Sequence, residues 1–310
     1  MSKLPLPKIL PFAGSPLDRC ENLRRDDAAM RALQKSERAL FLTLWRGQVF
    51  MLADNTPALL QGTALADLNM VDPGPVLLGT MGKTAQPWFA LRLDDEDDRI
   101  VDNFPLAGLG EWTNLRAAAP LLTTVDLAIV GRASALLNWH ERHSFCANCG
   151  TLTQPAGGGI KRECEHCGTE HFPRTDPVVI MLAVQEDQCL MGRQAGWPEN
   201  TYSALAGFVE QGESLEEACA REVGEEAGVQ IGAVRYVLSQ PWPFPSSLMI
   251  GLIAQALSTD ITLDDELEDA RWFSRADVRA MLAGTHAQLH APMGFSAAHH
   301  LLKEWAAEEG

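Results

Sequence analysis

The densest chemistry in the chain lies in the run Gly207-Phe-Val-Glu-Gln-Gly212-Glu213-Ser214-Leu-Glu-Glu217-Ala-Cys-Ala-Arg221-Glu222-Val-Gly-Glu225-Glu226-Ala-Gly228-Val229. Gly207 and Gly212 permit a tight loop. Ser214 with Glu217 three residues on has capping-box spacing and starts a helix; Gly228 is placed to end it. On that helix Glu222, Glu225 and Glu226 stand at i, i+3 and i+4, within one arc of roughly 100°. Three carboxylates held so close repel one another, so the pattern calls for a cation. Hard oxygen ligands suit Mg²⁺ or Mn²⁺, which keep waters and bind substrate phosphates. Arg221 stands beside the cluster, where it can hydrogen-bond a loop carboxylate, with Glu213 the obvious partner. Three glutamates alone would read as a solvated acidic face. The loop glycines, Glu213 and Arg221 together weigh against that.

A second group of donors precedes this one. Cys146-Ala-Asn-Cys149 and Cys164-Glu-His-Cys167 are separated by the 14 residues 150–163, and a glycine follows each pair. Two C-x2-C turns facing each other supply four thiolates in a tetrahedron, which closes a zinc site and leaves no position open for substrate. The zinc is therefore expected to be structural. His143, His166 and His171 lie nearby as alternative ligands. Few basic residues surround the module (Arg142, Lys161, Arg162, Arg174), which favours a structural role over nucleic-acid binding.

These groups need a scaffold. The chain has 310 residues, 46% hydrophobic and 21% charged, with a net charge of −16. That is a soluble globular composition with room for two or three domains. The charge argues against a protein that grips nucleic acid through a basic surface, but bound divalent cations can invert the local sign for a phosphorylated substrate. No secretory signal is expected in Met1–Leu10 and no apolar run is long enough to span a membrane, so a cytoplasmic protein is expected. Residues 1–140 read as an N-terminal α+β domain, 141–172 as a four-cysteine zinc ribbon and 173–310 as the catalytic α/β domain. Strands are expected at Phe41–Trp45, Val76–Leu78 and Val178–Val184. Leu122, Val125, Leu127, Ile129, Ala133 and Leu136 predict a helix over 121–137, followed by Trp139 and His140, and a last helix is predicted over 296–305. The acid run Asp94–Asp98 is expected to be a solvated loop. No sequence repeat is visible.

One further segment stands out. In Ser239-Gln240-Pro241-Trp242-Pro243-Phe244-Pro245-Ser246-Ser247 three prolines alternate with two aromatics. This excludes a central strand or a helix interior and suits a rigid loop that shapes a pocket for a planar ring.

The run from Gly207 to Val229 resembles the Nudix box, G-x5-E-x7-R-E-U-x-E-E-x-G-U with U a bulky aliphatic residue, and matches every specified position. The resemblance implies a Nudix α/β/α sandwich with a mixed sheet, acting on nucleoside diphosphates linked to another group. It makes Glu222, Glu225 and Glu226 ligands of divalent metals, and Glu213 and Arg221 the pins between loop and helix. Attack by a metal-activated water follows, with Glu225 or Glu226 as proton acceptor. The array from Ser239 to Ser247 is similar to the SQPWPFPxS signature of NADH pyrophosphatases within that family, which also carry an N-terminal domain and a four-cysteine ribbon. This implies a homodimer that splits NAD(H) into AMP and nicotinamide mononucleotide and, as in bacterial members, removes NAD caps from RNA. It brings Gln240, Trp242, Phe244 and Ser247 to the substrate, Phe208 as a stacking partner for the nicotinamide ring, and Ala298 as a small pocket residue. Glu266 falls near a further metal-binding glutamate, with Asp265 and Glu268 open as alternatives. Phe172 stands where bacterial members have a tyrosine that meets the substrate from the other subunit; without the hydroxyl, stacking survives and a hydrogen bond does not. Rival readings are a Nudix hydrolase for ADP-ribose or a diadenosine polyphosphate, and a nucleotide-sensing regulator without catalysis.

Overall fold

The structure, a computed structural model, describes residues 9–308. The chain divides into two compact units: residues up to Arg174 together with Pro243–Ser246, and residues from Thr175 on without that loop. Among the described residues, no helix is long and apolar enough to cross a membrane.

The first unit is built on a mixed six-stranded sheet of β1 (Leu40–Trp45), β2 (Gln48–Leu52), β3 (Leu59–Gln61), β4 (Val76–Met81), β5 (Gln86–Arg92) and β6 (Gly110–Asn114). Its order is β4-β5-β1-β2-β6, with β3 against the first half of β1 and β1 parallel to β5. Helix α1 (Asp27–Gln34) precedes the sheet, α2 (Ile100–Asn103) and α3 (Leu115–Ala118) flank β6, and α4 (Thr124–Arg142) follows. One face of the sheet buries Phe41, Trp45, Phe50, Leu77 and Phe89 with Phe104. Helix α4 packs on β1, β4 and β5. It departs from the predicted 121–137. Thr123 caps its start through Asp126, which leaves Leu121 and Leu122 outside and Val125 44% exposed, while Trp139 and His140 are buried inside the helix. The acid run is a loop, but a tethered one: Asp95 accepts from the Arg46 backbone and side chain, and Asp98 pairs with Arg46 at 2.6 Å.

The ribbon strands β7 (Gln154–Ala156), β8 (Lys161–Glu163) and β9 (Glu170–His171) belong to this same unit. Three glycines make close docking possible. Gly157, Gly158 and Gly159 all have positive φ, and a Cβ on Gly159 would meet Val76 at 2.8 Å. Arg24 reaches across to the carbonyls of Gly157 and Leu77. Deeper in, the fully buried Arg162 donates to Thr153, to Asp72 at 2.6 Å and to His140 Nδ1 at 3.1 Å, and His140 Nε2 donates to the Gly159 carbonyl at 2.8 Å. A carbonyl can only accept and a guanidinium can only donate, so the proton of His140 is on Nε2, Nδ1 is bare and the ring is neutral. Burial, with Arg162 beside it, pushes its pKa down to about 4.

The second unit carries β10 (Asp176–Gln185), β11 (Gln188–Arg193), β12 (Leu205–Phe208), β13 (Ile231–Trp242), β14 (Ser247–Ala256) and β15 (Asp269–Ser274), with helices α5 (Leu215–Ala227), α6 (Arg275–Leu282) and α7 (Ala297–Ala307). Strand β10 explains the layering. Successive side chains point to opposite faces. Val179, Met181 and Ala183 pack with Val223 and Ala227 of α5; Ile180 and Leu182 pack with Val278 of α6 and Leu301 and Trp305 of α7. The strand is buried on both sides and so reads as a continuous apolar run. The sheet order is β13-β14-β10-β11-β15, with β12 against β10 and β10 parallel to β14.

Strand for strand, this is the topology of the first sheet. The chain therefore contains a repeat that its sequence does not display. The copies differ between their third and fourth strands. The second has α5 there, whereas the first has only a short turn, Gly62–Leu65, and a loop. That loop holds Asp72, the partner of Arg162.

His140 yields a signed prediction. Its ordinary pKa of 6.5 is lowered in the folded state, so its contribution to stability is complete above pH 6.5 and is lost as pH falls toward about 4. Between pH 7 and 5, urea unfolding should show the wild type losing about 2 kcal/mol more stability than His140→Gln. Both proteins keep the same cysteines, so zinc loss cancels in the difference. Equal slopes would rule out a neutral buried His140.

Candidate active site and zinc centre

Helix α5 starts at the predicted capping box: Ser214 Oγ accepts from the Glu217 amide at 3.2 Å, and Glu217 accepts from the Ser214 amide at 2.8 Å. Gly228 ends it with φ 69°, its amide bonded to the Gly224 carbonyl. Ala218, Cys219, Val223 and Ala227 bury the inner face.

Arg221 ties the loop to the helix. Nε and Nη2 donate to the two oxygens of Glu213 at 2.7 and 3.0 Å, and Nη2 also donates to the Phe208 carbonyl at 2.8 Å. Nη1 donates to Glu222 and Glu225, both at 2.9 Å. The guanidinium and the Glu210 amide pull the Glu213 carboxyl down to about 2, so it stays an anion and holds the loop shut. Glu222 lies flat on the backbone of Gly207, where an added Cβ would fall 1.8 Å from its carboxyl carbon. Any side chain at position 207 would have to displace that carboxylate.

Glu226 is the innermost acid, 5% exposed. Burial first, then the charges of Glu222, Glu266 and Asp264, push it up to about 8, against a hydrogen bond from the Ala206 backbone. Burial and the neighbouring Glu225 and Glu266 also raise Glu222, against Arg221. Such a group is stable as anions only around cations. The group is all carboxylate oxygen, a donor type that suits hard divalent cations, and Glu225 lies on its rim at 58% exposure.

The structure thus brings Glu213, Arg221, Glu222, Glu225, Glu226 and Glu266 together. Glu268 is occupied elsewhere, in an ion pair with Arg193. Asp264 is a member of the acid group that sequence reasoning did not single out.

The other expected residues are more dispersed. Phe208 ends β12, 61% exposed, next to the Arg221 hub. Ser239–Trp242 form the end of edge strand β13, not a loop, and an edge tolerates Pro241. Gln240 is fully buried and donates to the Phe295 carbonyl at 2.8 Å, while Trp242 stacks on the Phe295 ring at 5.9 Å and Ser247 opens β14 opposite it. Phe295 carried no sequence signal. Ala298 is 3% exposed in the α7 core. Phe244 lies in the first unit, edge-on to Phe12 at 5.7 Å and under the Arg116 guanidinium at 4.1 Å. Phe172, also in that unit, is 61% exposed.

The sulfurs of Cys146, Cys149, Cys164 and Cys167 all lie within 4.8 Å of one another. The two turns are built alike. Cys146 and Cys164 donate their amides to Thr151 and Thr169, and accept from the amides of Gly150 and Gly168, whose φ values are 75° and 71°. Four converging thiols are the donor set of a closed, structural zinc site. His171 Nε2 sits 3.3 Å from Cys146 Sγ, placed to donate to a thiolate and not needed as a fifth ligand.

A carboxylate-lined loop and helix on an α/β/α sandwich, preceded by a four-thiol ribbon, defines a class that three family profiles match in sequence: "NADH pyrophosphatase-like rudimentary NUDIX domain" over residues 38–139, "NADH pyrophosphatase zinc ribbon domain" over 141–172 and "NUDIX domain" over 173–293. The chain is 35% identical over 311 residues to the NAD-capped RNA hydrolase NudC of Mycobacterium bovis (strain BCG / Pasteur 1173P2), covering 94% of this chain and 93% of that protein. It is 45% identical over 192 residues to the NAD-capped RNA hydrolase NUDT12 of Homo sapiens, covering 58% of this chain and 42% of that one. It is 42% identical over 209 residues to Nudix hydrolase 19, chloroplastic, of Arabidopsis thaliana, covering 64% and 46%. The chain spans less than half the length of these last two relatives. It belongs to the Nudix hydrolase family, in the NADH pyrophosphatase branch with its zinc ribbon.

The Gly207 contact gives a direct test. Gly207→Ala must displace the Glu222 carboxylate, and misplacing a group at a reacting site by about 1 Å costs on the order of 10²-fold in rate. Turnover should fall by about that factor, with Mn²⁺ affinity reduced and the far-ultraviolet circular dichroism unchanged. Wild-type turnover would show that Glu222 does not depend on this contact.

Proposed function

We propose that this protein hydrolyses the pyrophosphate bond of NAD(H), releasing AMP and nicotinamide mononucleotide, and acts on the same dinucleotide where it caps RNA. The observation that carries the reading is Glu226, a buried carboxylate on which the charges of Glu222, Glu266 and Asp264 bear. That arrangement suits divalent cations, and divalent cations of this class bind pyrophosphate. Mg²⁺ or Mn²⁺ held by Glu222, Glu225, Glu226 and Glu266 would supply an activated water and neutralise charge on the phosphates. Arg221 keeps Glu222 and Glu225 in place and closes the loop through Glu213. Glu225 or Glu226 takes the proton.

The dinucleotide is supported by the likeness, over nearly its whole length, to a mycobacterial NAD-capped RNA hydrolase. Phe208 and Trp242 are the ring faces for the substrate. Gln240 and Ala298 are buried and shape the wall; Ser247 lies at the mouth of that turn. Phe244, braced by Phe12 and Arg116, orders the array between Trp242 and Ser247. The active form is a homodimer, supported by the ribbon residues Phe145, Leu152 and Phe172, which are 66%, 53% and 61% exposed. Phe172 meets the partner's substrate by stacking. A cytoplasmic location fits the four converging ribbon cysteines, which a zinc site needs as thiolates.

Purified protein with Mn²⁺ should turn over NADH and NAD-capped RNA to mononucleotide products, and Glu225→Gln and Glu226→Gln should each lower the rate by about 10²-fold or more. Faster turnover of ADP-ribose or a diadenosine polyphosphate would overturn the substrate; near-normal rates in both variants would overturn the site. Sedimentation should show a dimer that Phe145→Asp splits, and a wild-type monomer would exclude the dimer.

A further inference from the structure

The charge of Glu266, from outside α5, bears on Glu222 and Glu226, and the segment that brings it is short and held at both ends. At its start the Thr262 amide donates to the Ala227 carbonyl in the last turn of α5 at 2.9 Å, with Thr262 packed so closely on Gly228 that a Cβ there would lie 3.0 Å from it. At its end Leu267 is 8% exposed in the core beside Val223, and Glu268 is bound to Arg193 through its amide and its carboxylate. Residues 263–266 form a strap between these anchors, without regular structure of their own. Inside the strap the Glu266 amide donates to Asp264 Oδ1 at 2.9 Å. This is an Asx turn, in which a side chain substitutes for a backbone partner and fixes the two residues that follow.

We infer that Asp264 is a positioning residue: its turn fixes the backbone of Asp265 and Glu266 so that the Glu266 carboxylate faces Glu222 and Glu226, and with them completes the divalent-cation site. The inference rests on the metal site proposed above. The hydrogen bond and the charge are distinguished by substitution. Asparagine keeps an acceptor oxygen at the same place and removes the charge; alanine removes both.

The test is Mn²⁺ binding to the full chain, followed by electron paramagnetic resonance of the free ion, beside the rate. Supporting residues of this kind are worth roughly 10- to 100-fold in metal affinity. Asp264→Ala should weaken Mn²⁺ binding roughly tenfold, and Asp264→Asn should restore most of that loss. In a Glu266→Gln background Asp264→Ala should have little further effect, because the ligand it positions is already gone. Three outcomes overturn the inference: Asp264→Ala binding Mn²⁺ like the wild type, Asp264→Asn as weak as Asp264→Ala, or losses from Asp264→Ala and Glu266→Gln that multiply in full. The underlying site fails differently, by Glu226→Gln and Glu266→Gln both binding Mn²⁺ as tightly as the wild type. The strap is anchored at Thr262 and Leu267 independently of Asp264, and an unchanged melting temperature for Asp264→Ala checks that the anchors hold.

Discussion

Mutual repulsion among carboxylates at the end of one helix is the constraint around which the catalytic unit is organised. Glu222, Glu225, Glu226 and Glu266 cannot share that space as bare anions in a half-buried site. Arg221 supplies one positive charge, but it is spread over Glu213, Glu222 and Glu225 and does not reach Glu226. The remaining deficit falls on Glu226, whose pKa is raised first by burial and then by these charges. The capping box, the glycine stop and the apolar inner face of α5 all serve to hold this unfavourable arrangement still. Precision then comes from close approach: Gly207 lets Glu222 lie against backbone, and Gly228 lets the strap start at the helix end.

The two sheets show how little of a scaffold determines its chemistry. Both run in the same order, with the same parallel pair at the centre and the same short third strand. In the second, the connection after that strand is the acid helix. In the first, it is a turn and a loop whose one notable acid, Asp72, binds an arginine of the ribbon. A segment of some twenty residues separates a sheet that can hold metal from one that grips its neighbour.

What was legible in the sequence follows from the range of the interactions involved. The acid helix, its caps, its loop pins and the four cysteines are local patterns, each decided within about two dozen residues, and they were readable. The strand β10 was readable because burial on both faces leaves a continuous apolar run. The topological repeat was not, since short apolar strands carry no register and the two connections share no motif. The choice among Asp265, Glu266 and Glu268 was open because acids so close in sequence look alike; Arg193, far from them in sequence, occupies Glu268. The packing of the Phe244 ring with Phe12 and Arg116, residues more than a hundred positions away, carried no local signal. The end of α4 was misjudged for the same reason, because His140 is held in the helix by a partner beyond it in sequence.

That partner has a thermodynamic consequence. Arg162 lies two residues before Cys164, and its buried guanidinium is shared among Asp72, His140 and Thr153. The strand that places a zinc ligand is therefore the strand that closes the polar interior of the first unit. A ligand that binds only the ordered ribbon stabilises everything that orders with it, by an amount set by its free concentration relative to its dissociation constant. Zinc held by the four thiols would in this sense stabilise the polar interior of the first unit along with the ribbon, although it lies outside the acid group of α5.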